Sequence, residues 1–193
     1  MIPKLNTSSV LPPFLGDEPG AMSPYSASLL EVAQRFATSV ERIEIFRGLL
    51  SYREAVRNLG LTEGYQWLDG SFVEDIEAVR GRPPEDIDIV TFTPIPGTVP
   101  EKRALVNANL PIFHSKMARD TYHCEAFFVD LTIKAMSLVD KTRYYFGLFS
   151  HQRETFLWKG ILQVPLISDD AAALAWINLQ EIGLGGLQNA QKT

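Results

Sequence analysis

The run Asp86-Ile87-Asp88-Ile89-Val90-Thr91-Phe92 alternates acidic and apolar residues and then turns β-branched and aromatic. That pattern predicts a strand with both aspartates on one side. Ile87, Ile89 and Val90 point to an interior strand, where a carboxylate needs a partner. Period-2 geometry sets the two acids roughly 6.5–7 Å apart along the strand. They repel one another unless cations or hydrogen-bond donors lie between them, so a fold for this chain must bring such groups to that strand.

Two other segments offer to complete a site. Ala126-Phe127-Phe128-Val129-Asp130-Leu131-Thr132-Ile133 is the most strand-like run in the chain, and Asp130 inside it would be costly without a purpose. Gly64-Tyr65-Gln66-Trp67-Leu68 leads as a short strand into the turn Asp69-Gly70-Ser71. Gly70 lets the backbone approach a phosphate, and the Ser71 hydroxyl and the turn's N–H groups can donate to it. Magnesium is the natural cation for such carboxylates, because it takes hard oxygen ligands and completes its shell with phosphate and water. With Asp86, Asp88 and Asp130 together, two ions would sit roughly 3.5–4 Å apart and clamp the attacking and leaving oxygens of an in-line displacement. Each piece also has an ordinary reading: a solvated acidic pair, a turn glycine, a turn hydroxyl.

Around these pieces the chain reads as helices before, between and after four or five strands, an α/β (α+β) domain with a small mixed sheet. Residues 1–27 are rich in Pro, Ser and Gly and predict an extended arm. Ser28-Leu29-Leu30-Glu31 is a capping box, followed by an apolar stripe of Leu29, Ala33, Phe36 and Val40. A second stripe runs Ile45, Leu49, Tyr52, Val56, Leu59 and stops at Gly60; Thr38-x-x-Glu41 offers a separate start for it. Residues 74–85 read as a loop. Thr98-x-x-Glu101 and Pro111 predict two short helices near 99–109 and 111–122. Tyr144 to Phe149 and Phe156 to Ile167 look like a hairpin, and Ser168-Asp169-Asp170 starts a last helix to about Ile182. The domain is expected over 28–183, with a flexible tail at 184–193.

The chain has 193 residues, 46% hydrophobic and 21% charged, enough for one ordinary domain and unlike a disordered chain. A net charge of −5 and a pI near 5.2 argue against binding duplex nucleic acid by bulk charge. The single cysteine, Cys124, forms no internal disulfide. The first residues lack the basic and apolar regions of a signal peptide, and no apolar run is long enough to span a membrane. These features predict a soluble, cytoplasmic protein.

Trp67-Leu68-Asp69-Gly70-Ser71-Phe72, followed by Pro84-Glu85-Asp86-Ile87-Asp88-Ile89-Val90, resembles the signature of the DNA polymerase β-type nucleotidyltransferase superfamily. The resemblance covers about residues 65–133. It implies that Gly70 and Ser71 hold a triphosphate, that Asp86 and Asp88 bind two Mg²⁺ ions (Mn²⁺ as a substitute), and that Asp130 completes the site and helps activate the attacking hydroxyl. It also implies transfer of a nucleoside monophosphate from ATP or another (d)NTP to a hydroxyl, with release of pyrophosphate. The acceptor would be a short nucleic acid, a tRNA end, a nucleotide or a protein. The Leu11-Pro12-Pro13 arm, the Glu31 to Phe36 helix and Lys159-Gly160-Ile161 are similar to small bacterial members of that superfamily. By that likeness the setting would be anti-phage defence or a toxin–antitoxin pair, with a partner effector or toxin protein. The stretch between Ser71 and Asp86 is longer than in compact members.

Lys159, in an expected strand, would help neutralise the triphosphate; the commoner role for such a lysine is an exposed strand position. Arg80, Arg82, Arg143 and Arg153 would guide phosphates or be plain surface residues. His114, His123 and His151 have no metal-ligand spacing. Tyr144-Tyr145-Phe146 would stack bases or pack in the core. The rival reading is a catalytically weak, nucleotide-binding or antitoxin-like module that regulates a partner without turnover.

Overall fold

The computed structural model of the protein describes residues 1–190, with side chains to residue 184. The described residues form a mixed α/β fold of eight α-helices around one five-stranded mixed sheet. The strands are β1 (Tyr25–Ser26), β2 (Tyr65–Asp69), β3 (Ile87–Thr93), β4 (Cys124–Asp130) and β5 (Leu162–Pro165), in the order β1-β5-β2-β3-β4. β2 runs antiparallel to both β3 and β5, while β3 and β4 are parallel, as are β1 and β5.

The parallel β3–β4 pair needs a crossover, and three short helices make it: α4 (Val99–Ala108), α5 (Leu110–Phe113) and α6 (Ser115–Tyr122). Pro111 lies in the first turn of α5, where its missing N–H costs nothing. α1 (Leu29–Phe36) begins with the expected capping box, Glu31 N donating to Ser28 Oγ and Ser28 N to Glu31 Oε2. The stripe that follows breaks at Ala37–Ser39, and Ser39 caps α2 (Val40–Asn58).

Alternation along the strands assigns the two faces of the sheet. Leu68, Ile87, Ile89, Cys124, Ala126, Leu162 and Val164 face a large core with α1, α2, α5, α6 and the start of α8 (Asp170–Ala190). Trp67, Val90, Phe92, Val129 and Ile161 face a smaller cluster covered by α7 (Ala135–Phe149).

Four expectations are corrected. Tyr144 to Phe149 is not a strand but the end of α7: Leu138, Tyr145, Phe146 and Phe149 share one helical face against the sheet, and that packing overrides the β-propensity of the aromatics. Of 156–167, only Leu162–Pro165 is a strand. The segment 74–85 contains a helix, α3 (Ile76–Arg80), capped by Asp75 and ended by Gly81. The last helix passes Ile182 to Ala190, through most of the expected flexible tail; residues 191–193 lie outside the described residues. Among the described residues no helix is long and apolar enough to cross a membrane.

Arg53, fully buried on α2, ties the larger core together. Its Nε and Nη2 donate to the Asp170 carboxylate at 2.8 and 2.9 Å, Nη1 to Gln66 Oε1 at 2.6 Å, and Nη2 to the Pro165 and Leu166 carbonyls. Gln66 passes the chain on to Thr91 Oγ1. Breaking such a pair strands a buried charge, so Arg53→Ala should cost about 3–5 kcal/mol in urea denaturation. Arg47→Ala, which removes the exposed Arg47–Glu181 contact, should cost no more than about 1 kcal/mol.

Candidate metal and phosphate site

Lateral pairing across three strands builds the floor of the site. Asp69 ends β2 opposite Asp88 on β3, and Asp88 in turn lies beside Glu125 on β4. Asp86 sits two residues before Asp88, on the same face. Ligand oxygens of Asp86, Asp88 and Glu125 all lie within 4.8 Å of one another. The third acid is therefore Glu125 and not Asp130.

The reason is geometric. β3 and β4 run parallel with their first residues level, Ile87 beside Cys124, so the acid that meets Asp88 lies near the start of β4. Asp130 is five residues on, about 17 Å away along the strand and on the opposite face. There it pairs with Thr93 in the register and receives the Lys102 ammonium at 2.6 Å and the N–H groups of Ile95 and Thr132. Burial would raise its pKa, but these donors outweigh it and hold Asp130 near 2. It serves as the structural anchor of the β4 end.

Gly70 links the floor to the turn that follows β2. Its φ of +83° is in the left-handed region, and a Cβ there would stand 2.7 Å from Asp88 Oδ2. Glycine is needed twice over, for the backbone angle and to leave room for that carboxylate. Ser71–Val73 then forms one 3-10 turn. Ser71, Gly70 and the acids line a cavity of about 270 Å³, walled by Ile76 and Arg80 of α3 and by Leu148 and Phe149 at the end of α7.

Lys159 lies beside this turn, just before β5, and is only 4% exposed. Its ammonium reaches Glu74 Oε1 at 2.6 Å and Asp69 Oδ1 at 3.2 Å. Burial alone would lower its pKa, but the two carboxylates raise it, so it stays charged. Asp69 and Glu74 flank the Gly70–Val73 turn, so Lys159 clamps both ends of that turn. It lines the cavity with Gly70 and Ser71, but its charge is committed to those two acids.

The electrostatics of the floor follow from crowding. Burial, then Asp69, Asp86 and Glu125, push Asp88 up to about 8 against the opposing Lys159. Burial raises Asp69 to about 6 despite Lys159. Asp86 is also raised by burial, with Arg119 opposing at 2.7 Å. Arg153 stands 3.6 Å from Glu125. Arg80, Arg82, Arg119, Arg153 and Lys159 face seven carboxylates in the cavity lining, leaving an excess of negative charge. Arg143 lies on α7 outside this lining. His151 borders the cavity; His114 and His123 do not. Tyr145 and Phe146 pack in the smaller cluster.

The donor set fits a hard divalent cation: oxygen ligands only, clustered, with proton affinity raised by burial and, at Asp88, by the neighbouring acids, both of which an ion would offset. Asp69 Oδ1, buried at the edge of the cluster, meets the Lys159 ammonium at 3.2 Å without a well-aligned hydrogen bond. Sequence reasoning does not reach the roles of Glu125, Asp69 and Glu74; for Glu125 the available signal is an acid at the start of a strand joined by a helical crossover to the Asp-x-Asp strand.

Residues 3–165 match a family of unknown function (DUF6932), which is most of the chain, and the protein belongs to that family. No curated protein and no solved structure matches it.

Two outcomes test this site. The folded state holds the Asp88 proton more tightly than the unfolded chain does, so stability from this group is lost as pH rises from about 4 to about 8. The melting temperature of chelator-treated protein should therefore fall between pH 6 and 8.5. Mg²⁺ or Mn²⁺ should raise it more at pH 8.5 than at pH 6, and Asp88→Asn should flatten both trends. Gly70→Ala should displace Asp88 and weaken Mn²⁺ binding by at least about tenfold by titration calorimetry, the scale seen when a metal ligand loses its support.

Proposed function

We propose that the protein is a divalent-metal-dependent nucleotidyltransferase that moves a nucleoside monophosphate from a nucleoside triphosphate to an acceptor hydroxyl and releases pyrophosphate. The observation that carries this reading is the meeting of Asp86, Asp88 and Glu125 within 4.8 Å beside the Gly70–Ser71 turn. The motif that resembles the polymerase β-type superfamily thus coincides with a cation-seeking cluster, though with a different third acid.

When bound, Mg²⁺ supplies charge neutralisation at the α-phosphate and lowers the pKa of the attacking hydroxyl. Asp86, Asp88 and Glu125 are the residues that would hold it. The Ser71 hydroxyl, which lines the cavity, and free N–H groups of its turn would donate to phosphate oxygens. Lys159, through Asp69 and Glu74, keeps the turn in position. The acceptor oxygen forms a bond to the α-phosphorus, the bond to the bridging oxygen breaks, and the pyrophosphate takes the electron pair. The hydroxyl proton passes to a carboxylate of the floor. Arg80 and Arg82 line the same cavity and would attract the leaving pyrophosphate.

Incubation with each labelled NTP and dNTP, Mg²⁺ and short RNA or protein acceptors should release pyrophosphate. Glu125→Gln should lower the rate by roughly 10²–10³-fold, the scale of losing one preorganised charge contact at a transition state. Asp130→Asn should leave the rate within about threefold while lowering stability by about 1–3 kcal/mol, as the Lys102 pair is lost. Equal losses from both variants, or nucleotide binding with no pyrophosphate from any donor, would refute the proposal and favour the binding module.

A further inference from the structure

The loop on the rim of the acidic cavity carries exposed aromatic rings. Residues 151–158 form a hairpin-like loop on its rim, closed by the His151–Trp158 bridge and the Gln152–Leu157 and Ser150–Lys159 backbone hydrogen bonds. His151, Gln152, Arg153 and Glu154 line the cavity from this loop. On its outer side Trp158 is 47% exposed and Phe156 78% exposed. The Trp158 ring lies nearly parallel to His151, at 11°, and the N-terminal arm brings Phe14 to 5.5 Å on it. Phe156 is held at a φ of +54° with its ring in water, a costly conformation for a bulky residue that no core packing explains.

We infer that Trp158, with His151 and Phe14, is a stacking platform for an unpaired nucleobase, joined to the acidic cavity through His151 on its rim. Its place in a reaction rests on the nucleotidyltransferase reading; the binding itself does not. Several observations favour a base over another occupant. The platform is a few aromatic rings, far short of the roughly 20–30 residues a side of a stable protein interface. Guanidinium groups flank it: Arg153 is three-quarters exposed on the same loop, and Arg80 reaches Glu154 at 3.2 Å. Rings beside exposed cations are what single-stranded nucleic acid and nucleotides use, bases on the rings and phosphates on the charges. A duplex keeps its bases stacked inside, and the net charge of −5 gives it no basic track. The base would come either from an acceptor strand or from the donor triphosphate.

Fluorescence anisotropy at fixed salt with Mg²⁺, and without triphosphate, should show a labelled RNA hexanucleotide binding roughly tenfold or more tightly than its abasic counterpart, as expected for base–aromatic stacking. In parallel, ATP should be compared with tripolyphosphate by competition. Trp158→Leu should erase whichever preference the wild type shows, and Trp158→Phe should keep most of it. Loss in the strand arm assigns the base to the acceptor, and loss in the ATP arm assigns it to the donor; either supports the platform. If the wild type prefers neither base-bearing ligand, a comparison that needs no variant, or if a folded Trp158→Leu keeps the preference, the inference is overturned. Mn²⁺ binding, read by electron paramagnetic resonance, tests the metal reading separately. Base preference without Mn²⁺ binding defeats that reading and leaves the platform standing; Mn²⁺ binding without base preference does the reverse.

Discussion

Asp69, Asp88 and Glu125 stand side by side across three neighbouring strands, with Asp86 on the same face, and their mutual repulsion must be balanced from within the fold. Lys159 meets part of it from beneath, and Arg119 and Arg153 meet part from the rim. Burial, joined at Asp88 by the repulsion that remains, still raises the proton affinity of Asp88 and Asp69. A buried charge cluster that stays short of neutrality is a poor way to stabilise a fold. It is a good way to hold a cation, because an arriving ion removes the repulsion the fold already carries.

The surrounding structure is arranged to keep that row in place. The Gly70 turn can lie against Asp88 only without a Cβ. Lys159 spans the turn by holding Asp69 before it and Glu74 after it, and Glu74 also accepts from Gln152 of the rim loop. Arg42, nearly buried on α2, donates to the Phe72 and Glu74 carbonyls and to Glu77. The segment after the turn is thus fastened to α2, which is why residues 74–85 fold as a helix and linker and not as a free loop.

The floor of this site was half legible in the sequence. Asp86-x-Asp88 and Gly70-Ser71 could be placed because strand periodicity and glycine chemistry act over a few residues. The third acid could not, because it depends on which strands are neighbours and in which direction they run. Asp130 looked compelling as an acid within an apolar run, yet its donors, Lys102 and the Ile95 and Thr132 amides, come from segments whose packing no local pattern announces. A helical crossover between β3 and β4 makes them parallel, and the register that sets Ile87 beside Cys124 makes Glu125 the acid level with Asp88. The same limit explains α7: Tyr144 to Phe149 carries strand-like aromatics, and only the sheet face they cover decides for a helix. Lys159 was read as an exposed strand residue or a phosphate ligand, because its partners lie 85 and 90 positions earlier in the chain.

The two faces of the sheet treat polar groups differently, and the contrast locates the chemistry. On the larger-core face, Arg53, Gln66, Thr91 and Asp170 form a chain in which each buried donor meets an acceptor, so charge adds order there without leaving anything to be filled. On the α7 face the same sheet carries apolar residues until its edge, where four carboxylates emerge together and the covering helix stops at Phe149. Continuing α7 over that edge would bury the acids without enough cations. Ending it there, and turning the chain into the 151–158 loop, opens the row to solvent and frames it with His151, Arg153 and the Trp158 ring. The termination of one helix thus both spares the fold an uncompensated burial and creates the opening through which a phosphate-bearing ligand would reach the floor.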